Sequence, residues 1–353
     1  MSFRIIVATF LVCLLGGAAT AQPLPHYDLG QLEAAIEKGE LGDIAALASA
    51  QGGEIVYRKR FDGKALGTPV DIKSAGKSIT ALAVGMAIMD GKLAGRDVAV
   101  WPYLGHSRGE PFDSIMVGDL LAMASALDCN DWDRSSPGQE ERMYRTREWR
   151  AFALDIPARG FTRGENGYGP FSYCTAGVLL LGQVVETATR ERFDDYVQRR
   201  LFDPLGLARP IWRTSRSGEI QSGGQLTISD EALLKIGRLV LDRGQWNGRQ
   251  VIDREWIESM LTPRHMLGEQ QFYGDLWWAT PLRAGEGYVP AWMMKGNGGN
   301  IVAVVPSHDA VLVVQTRNYN KRDAERHAFT ALWAMLGALE PSTAPVTAPV
   351  TAR

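Results

Sequence analysis

The stretch Ser74-Ala-Gly-Lys77-Ser-Ile-Thr-Ala-Leu-Ala-Val-Gly-Met-Ala-Ile-Met-Asp90 is the most informative part of this sequence for the fold. Its apolar residues do not form one stripe but lie on nearly all sides of a helix, which is typical of a helix buried inside a large domain. Gly91 follows directly, and glycine commonly ends a helix. We therefore predict a buried helix over residues 74–90 with Ser74 and Lys77 in its first turn.

Ser74 and Lys77 form an S-x-x-K pattern, and residues three apart on a helix lie on one face. A serine hydroxyl is a weak nucleophile at neutral pH, and a lysine removed from water can act as its base. The helix N-terminus adds partial positive charge where an oxyanion would develop. The pattern predicts a nucleophilic Ser74 with Lys77 as its base. The alternative, a helix cap beside a surface lysine, is disfavoured by the apolar flank.

Two other motifs in this region resemble known sites but lack a required feature. Gly105-His-Ser-Arg-Gly109 matches the G-x-S-x-G pattern of a nucleophile elbow. An elbow leads directly into a helix, whereas here Glu110 and Pro111 follow, so we predict a loop. Gly76-Lys-Ser78 resembles the end of a phosphate-binding loop, but that motif needs glycine where Asp71 stands.

The composition of the 353 residues limits the class of protein. Hydrophobic residues make up 45% and charged residues 22%, as in soluble globular proteins with a sizeable core. The formal net charge is −2 and no long basic run occurs, which argues against a nucleic-acid partner. Three cysteines and five histidines are too few for a disulfide scaffold or a His/Cys metal cluster, so we expect neither metal nor cofactor.

Residues 1–21 have the features of a signal peptide. Arg4 precedes an apolar run over residues 5–15, and Ala19-Thr-Ala21 is an A-x-A cleavage site. The run is too short to span a bilayer comfortably, and Val12 is a poor residue to precede a lipidated Cys13. We expect export, cleavage, and a periplasmic or secreted protein without stable membrane insertion.

The remaining chain alternates between helical and strand-like patterns. Helices are predicted over residues 28–39, 117–124, 175–189, 194–201, 230–244 and 321–339, and strands over 54–61, 272–279, 301–305 and 310–316. This layout predicts a mixed α/β (α+β) fold in which an antiparallel sheet is flanked by helices. We expect one domain over residues 22–339, with a sheet part from about 22–75 and 215–339 and an inserted, mostly helical region over 76–214. The tail over 340–353 repeats Thr-Ala-Pro-Val and is predicted to be disordered.

Four segments in order identify a family resemblance. Besides Ser74-x-x-Lys77, these are Leu120-Leu-Ala-Met-Ala-Ser-Ala-Leu127, Phe171-Ser-Tyr-Cys-Thr-Ala-Gly177 and Gly296-Asn-Gly-Gly-Asn300. Together they resemble the serine β-lactamase-related hydrolases. This superfamily contains class C β-lactamases, D-alanyl-D-alanine peptidases, serine esterases and 6-aminohexanoate-dimer hydrolase. The resemblance extends from about residue 54 to residue 339 and implies a β-lactamase/transpeptidase-like fold.

The resemblance implies a role for several residues. Ser74 would be the acylated nucleophile, Lys77 its base, and Tyr173 a second acid/base, although Tyr144 in a second Y-x-T pattern is a rival. The oxyanion would lie between the backbone N–H groups of Ser74 and Asn297. Substrate-binding positions that follow from the motifs are Thr175, Lys295, Gly298 and Gly299.

Two departures from the family pattern bear on the substrate. The family's Y-x-N is Tyr173-Cys-Thr175 here, and Met294-Lys295-Gly296 stands where penicillin-binding members have Lys-Thr-Gly or His-Thr-Gly. The register at Lys295 stays open, but either register weakens the recognition of a substrate carboxylate. We therefore expect an exported serine hydrolase that acts through an acyl-enzyme on an ester, a linear amide or a peptide-like small molecule. The alternatives are a class C-type β-lactamase or D-Ala-D-Ala carboxypeptidase, and a catalytically silent envelope-binding protein.

Three further groups of residues have two interpretations each. Signal-peptide cleavage removes Cys13, and in an oxidising compartment Cys129 and Cys174 form either a bridge or two buried thiols. In the resembled fold the segment that precedes Cys129 packs close to the tyrosine loop, which favours the bridge. Trp277, Trp278 and Trp292 could line an apolar acyl pocket or pack in the core. Asp128, Asp131 and Asp133 could be calcium-like ligands or belong to a solvated loop.

Overall fold

The computed structural model describes residues 27–105 and 107–343. The predicted signal peptide, including Cys13, and residues 344–353 of the predicted tail lie outside these ranges. Within the described ranges, every helix is too short or too polar to cross a membrane.

The strands of the described residues belong mainly to one large antiparallel sheet. In chain order they are β1 (Ile44–Gln51), β2 (Glu54–Arg60), β3 (Val70–Asp71), β4 (Ile211–Trp212), β5 (Leu226–Ile228), β6 (Gln245–Trp246), β7 (Arg249–Gln250), β8 (His265–Gly268), β9 (Gln271–Tyr273), β10 (Trp278–Ala279), β11 (Leu282–Ala284), β12 (Gly287–Val289), β13 (Trp292–Gly296), β14 (Asn300–Val305) and β15 (Ala310–Thr316).

The large sheet has eight strands in the order β2-β1-β15-β14-β13-β10-β9-β8. Strands from the beginning and the end of the chain pair directly, because β1 runs antiparallel to β15. The central strands β14 and β15 are buried along their whole length, since helices cover the sheet. The predicted α/β (α+β) architecture with an antiparallel sheet is therefore confirmed.

Eleven α-helices lie in the described part of the chain. They are α1 (Leu29–Glu37), α2 (Lys77–Met89), α3 (Trp101–Leu104), α4 (Val117–Leu121), α5 (Glu140–Arg145), α6 (Trp149–Asp155), α7 (Thr175–Thr189), α8 (Phe193–Val197), α9 (Asp230–Leu241), α10 (Arg254–Leu261) and α11 (Ala324–Gly337). Helices α9 and α11 pack against β14 and β15, whereas α2 packs against α7.

Helix α2 is buried on nearly all sides, as its uniform apolar pattern predicts. Its first turn is not α-helical, because residues Lys73–Gly76 form a 3-10 turn that leads directly into the helix. Gly85 allows α10 to approach, since a Cβ at this position would overlap the indole ring of Trp256. The 3-10 turn places Ser74 beside the end of β13.

Several predicted elements differ from the structure in their bounds, and three differences are larger. The pattern gave no strand over β1, and the strand predicted over 272–279 is divided into β9 and β10 at Leu276, whose φ of 59° interrupts the extended backbone. Residue 340, where the disordered tail was predicted to begin, is hydrogen bonded: the Glu340 carbonyl accepts from Gln51 Nε2 at 2.7 Å. Ser342 N–H also donates to the Ser307 carbonyl at 2.8 Å.

Candidate active site

The structure brings the hydroxyl of Ser74 and the amine of Lys77 into contact at the junction of the 3-10 turn and α2. The Nζ of Lys77 lies 2.9 Å from Oγ of Ser74 and 2.7 Å from the carbonyl oxygen of Gly223. Lys77 is only 1% exposed, because apolar residues of α2 and its neighbours surround its stem. This geometry allows the lysine to receive the serine proton.

A buried hydrogen-bond network orients the carbonyl that faces Lys77. The N–H of Gly223 donates to Oε1 of Gln221 at 2.9 Å. The Nε2 of Gln221 donates to the Tyr144 hydroxyl at 3.2 Å, and that hydroxyl donates to Oε2 of Glu140 at 3.0 Å. Tyr144, the rival of Tyr173, therefore belongs to this supporting network and does not line the cleft around Ser74. The motifs gave no indication of Gln221.

Tyr173 lines the same cleft as Ser74, with the Lys77 Nζ 5.0 Å from its ring centre. Burial raises the pKa of the Tyr173 phenol above its usual value, and the charge of Lys77 and a hydrogen bond with Ser74 oppose this rise. The phenol is consequently protonated at neutral pH and can donate its proton to a leaving group. Trp132 stacks on the tyrosine ring at 5.4 Å with nearly parallel planes.

The end of β13 approaches the nucleophile so closely that only glycine fits. A Cβ at Gly296 would overlap the carbonyl oxygen of Ile72 and would lie 2.9 Å from the backbone nitrogen of Ala75. Asn297, the next residue, lines the cleft together with Ser74. This is the strand edge at which the second oxyanion N–H is expected.

Of the four predicted substrate-binding residues, three line the cleft and one does not. Lys295, Gly298 and Gly299 are at its wall, and the Lys295 ammonium is 2.5 Å from Oε1 of Glu325. Met294 is fully buried, whereas Lys295 and Gly296 of β13 line the cleft, so Lys295 is the residue at the basic position. Thr175 is a correction: it is fully buried, and its Oγ1 has no hydrogen-bond partner in the described part of the chain. Thr175 is the first residue of α7.

Asp131 is a cleft residue whose role the sequence did not indicate. Its Oδ2 accepts from the Thr175 N–H at 2.7 Å and its Oδ1 from the Glu140 N–H at 2.9 Å, while its own N–H donates to the Tyr173 carbonyl at 2.8 Å. Burial and the negative charge of Glu140 raise the pKa of Asp131 to about 6, although Lys77 opposes the shift. The carboxylate thus links the tyrosine segment to α5. The calcium-like alternative has no support in residues 27–105 and 107–343, where no cluster of three or more His, Cys, Asp or Glu could bind a metal ion.

The disulfide between Cys129 and Cys174 is present, with a Cα–Cα distance of 5.4 Å. It joins the loop of Asp131 to the residue after Tyr173. The Ser172 hydroxyl strengthens the same junction by donating to the carbonyl of Cys129 at 2.6 Å. The bridge therefore fixes the backbone on both sides of the tyrosine.

The other sequence motifs lie away from the nucleophile. Ser107 is exposed in the loop after α3 and its hydroxyl donates to Asp113, as expected if the G-x-S-x-G match is a loop. Of the three tryptophans considered for an acyl pocket, only Trp278 lines the cleft, whereas Trp277 is buried in the core and Trp292 donates to the Leu261 carbonyl.

The cleft has a volume of about 730 Å³. Its lining contains charged residues of both signs. The acidic residues are Asp131, Glu140, Glu141 and Glu325, and the basic residues are Arg134, Lys295 and the exposed Lys321 and Arg322. Ser74 lines the same cleft, which is large enough for a small-molecule substrate.

The sequence of this chain is similar to those of known proteins. A model of the family described as Beta-lactamase matches residues 44–334. The 6-aminohexanoate-dimer hydrolase of Paenarthrobacter ureafaciens is 27% identical over 255 residues, which are 70% of this chain and 63% of that protein. The chain thus spans less than two thirds of this relative's length.

Solved structures share the fold at low identity. The octameric penicillin-binding protein homologue from Pyrococcus abyssi matches with a TM-score of 0.68 at 20% identity. The match covers 88% of this chain and 78% of that chain. The D-stereospecific amidohydrolase from a Streptomyces species has a TM-score of 0.63 at 17% identity and covers 86% and 98%. Since the family model spans most of the chain, including the S-x-x-K, tyrosine and glycine-rich segments described above, this chain belongs to the beta-lactamase family.

Proposed function

We propose that this protein is an exported serine hydrolase that cleaves an ester or a linear amide through an acyl-enzyme on Ser74. The observation that supports it most strongly is the 2.9 Å contact between Oγ of Ser74 and Nζ of the buried Lys77. A buried amine beside a hydroxyl in an open cleft is an arrangement that activates a nucleophile. A silent binding protein would not need it.

The proposed reaction has two halves. Oγ of Ser74 attacks the substrate carbonyl carbon and its proton passes to Lys77, while the N–H groups of Ser74 and Asn297 stabilise the oxyanion. The bond to the leaving group breaks as Tyr173 supplies a proton to it, and Tyr173 then takes the former serine proton from Lys77. Water attacks the acyl carbon, the bond between that carbon and Oγ of Ser74 breaks, one water proton passes to Oγ, and the acid is released.

The state of Lys295 supports an ester or linear amide over a β-lactam. Its ammonium is 2.5 Å from the Glu325 carboxylate and 4.7 Å from the ring centre of Trp278. A lysine that is already paired with a carboxylate attracts a substrate carboxylate weakly, because the substrate would have to compete with Glu325. Relatives whose names describe amide hydrolysis are consistent with this choice.

A second candidate has its own observation. Lys321 and Arg322 are exposed at the cleft wall, where they could attract a carboxylate. They favour a class C-type β-lactamase or a D-Ala-D-Ala carboxypeptidase. Turnover of p-nitrophenyl esters and of nitrocefin separates the two candidates. Nitrocefin hydrolysis at ~10⁷–10⁸ M⁻¹s⁻¹, near the diffusional limit, would contradict the first candidate.

The assignment of the nucleophile is tested by labelling with a fluorophosphonate. The Ser74→Ala variant should lose both labelling and ester turnover, whereas Ser107→Ala, the matched change in the other serine motif, should retain both. Export is tested separately by expressing the full chain in a bacterial host. The N-terminal sequence of the periplasmic or secreted product should begin at Gln22.

A further inference from the structure

The residue before the proposed nucleophile has an unusual backbone conformation. Lys73 has a φ of 54°, in the left-handed region that favours glycine. Its carbonyl accepts from the Gln225 N–H at 3.1 Å. A non-glycine residue retains such a conformation only where surrounding contacts impose it, and such residues cluster at functional sites.

The side chain of Lys73 makes two of those contacts. Its Nζ lies 2.6 Å from Oδ2 of Asp71, and its backbone N–H donates to Oδ1 of the same carboxylate at 2.9 Å. The ammonium also lies 4.4 Å from the ring centre of Tyr319, a distance typical of a cation–π interaction. The peptide before Ser74 is therefore anchored on Tyr319.

Tyr319 contacts both sides of the proposed oxyanion site. Its hydroxyl donates to the carbonyl of Asp71 at 2.7 Å, on the nucleophile side. On the other side its ring lies against Gly298, where a Cβ would come within 2.9 Å of the ring. Burial raises the pKa of the Tyr319 phenol to about 12, so the donor proton is present throughout a normal assay range.

Asn320 binds the residue that supplies the second N–H. Its backbone N–H donates to Oδ1 of Asn297 at 2.8 Å, and Nδ2 of Asn297 donates back to Oδ1 of Asn320 at 2.6 Å. Two consecutive residues thus bind the turn of Ser74 and the turn of Asn297.

We propose that Lys73, Tyr319 and Asn320 are positioning residues that set the separation between the backbone N–H groups of Ser74 and Asn297. This inference rests on the proposed function, since it assigns these three residues to its oxyanion site. The two N–H groups belong to different elements, because Ser74 is in the 3-10 turn and Asn297 directly follows β13, so non-covalent contacts must fix the distance between them. A displaced donor weakens binding of the tetrahedral oxyanion more than binding of the planar substrate.

The test uses Lys73→Met, Tyr319→Leu and Tyr319→Phe. Lys59→Met is the matched control. Lys59 is in strand β2, and it also forms an ion pair, with Glu33, and lies 5.2 Å from the ring centre of Phe61. Each protein is assayed for kcat and KM with a p-nitrophenyl ester and for inhibition by a boronic acid, which forms a tetrahedral adduct. Melting temperatures identify variants that fail to fold.

We expect kcat to fall about 10- to 100-fold in Lys73→Met and Tyr319→Leu. This decrease is smaller than the one expected when an oxyanion donor is removed completely. KM should change by less than about 2-fold, and boronic acid affinity should fall with kcat/KM. Tyr319→Phe retains the ring and should lose less. Lys59→Met should match the wild type. The double variant Lys73→Met/Tyr319→Leu should be little worse than the poorer single variant, because the two residues act as a unit.

Several results would overturn the inference. If the wild-type protein is active and Lys73→Met and Tyr319→Leu have the same kcat as the wild type, the positioning role is refuted and the proposed function stays intact. A rise in KM with unchanged boronic acid affinity would also refute it. A wild-type protein with no turnover and no fluorophosphonate label would refute the proposed function and this inference together.

Discussion

Oε1 of the buried Gln221 accepts a hydrogen bond of 2.9 Å from the backbone N–H of Gly223. The carbonyl of the same glycine accepts from Nζ of Lys77 at 2.7 Å. The side-chain amide of Gln221 therefore fixes the position of the Gly223 carbonyl, which accepts the hydrogen bond from the proposed base Lys77. A Cβ at Gly223 would clash with Oε1 of Gln221 and with Thr175, so this short segment tolerates little movement.

The Gln221→Leu variant should lose stability and activity together. The Gly223 N–H would be buried without an acceptor, at a cost of about 1–3 kcal/mol in the free energy of unfolding. We expect kcat to fall about 10-fold, since Lys77 loses its fixed partner. Gln221→Glu retains an oxygen acceptor and should keep most activity. Denaturant unfolding and ester kinetics measure both effects, and equal losses in the two variants would show that the acceptor does not matter.

Replacing Gly296 with alanine should displace β13 from the nucleophile. The added Cβ would overlap the Ile72 carbonyl, so the strand edge with Asn297 must move away. We expect kcat to fall about 10²- to 10³-fold, as for the loss of an oxyanion donor. Gly287→Ala in β12 is the control, because its nearest neighbour atom would be 3.9 Å away. Comparable kcat values for the two variants would contradict this account of the strand edge.

Reduction of the Cys129–Cys174 bridge should lower activity before the fold is lost. The cysteines are 45 residues apart in sequence, and a loop of this size gives a stabilisation of roughly 3–4 kcal/mol in the chain-entropy model. The backbone of Tyr173 adjoins the bridge, so it should gain freedom first. Titration with a thiol reductant, followed by ester turnover and circular dichroism, measures the order. Simultaneous loss of both signals would contradict the prediction.

Asp131 should make stability depend on pH in a distinctive way. Burial, with Glu140, raises the pKa of this carboxyl to about 6, above its value in the unfolded chain. Between about pH 4 and pH 6 the folded state therefore binds more protons than the unfolded state, and this residue's contribution to stability decreases as pH rises.

The Asp131→Asn variant should lack that contribution. Relative to the variant, the wild type should lose about 1–3 kcal/mol of unfolding free energy between pH 4 and pH 7. Asp128→Asn, in the same loop, is the control for the change in net charge. Urea unfolding at a series of pH values provides the comparison. A constant difference between wild type and Asp131→Asn over this range would exclude the expected titration.

The sequence predicted correctly those elements whose hydrophobic pattern is consistent with only one type of secondary structure. Helix α7 and the pair β14–β15 have uniform apolar runs between clear turn residues, and their predicted bounds agree with the structure to within one residue. Strand β1 was missed because it is buried on both faces, so its alternation disappears, and its alanines favour a helical interpretation.

The candidate site was predictable where one motif positions its own residues. Ser74 and Lys77 belong to one turn, and Gly296 to Gly299 belong to one strand end. Gln221, Asp131 and Tyr319 could not be found in this way, because each acts through contacts with residues distant in sequence. Thr175 was misassigned because a motif position indicates a place on the chain but not the direction in which a side chain points.

The central claim, an acyl-enzyme on Ser74, is tested most directly by mass spectrometry of the protein quenched in acid during turnover of a p-nitrophenyl ester. The account predicts one added acyl group on the peptide that contains Ser74, present in wild type, absent in Ser74→Ala and unchanged in Ser107→Ala. An acyl group on another residue, or steady turnover by Ser74→Ala, would contradict it.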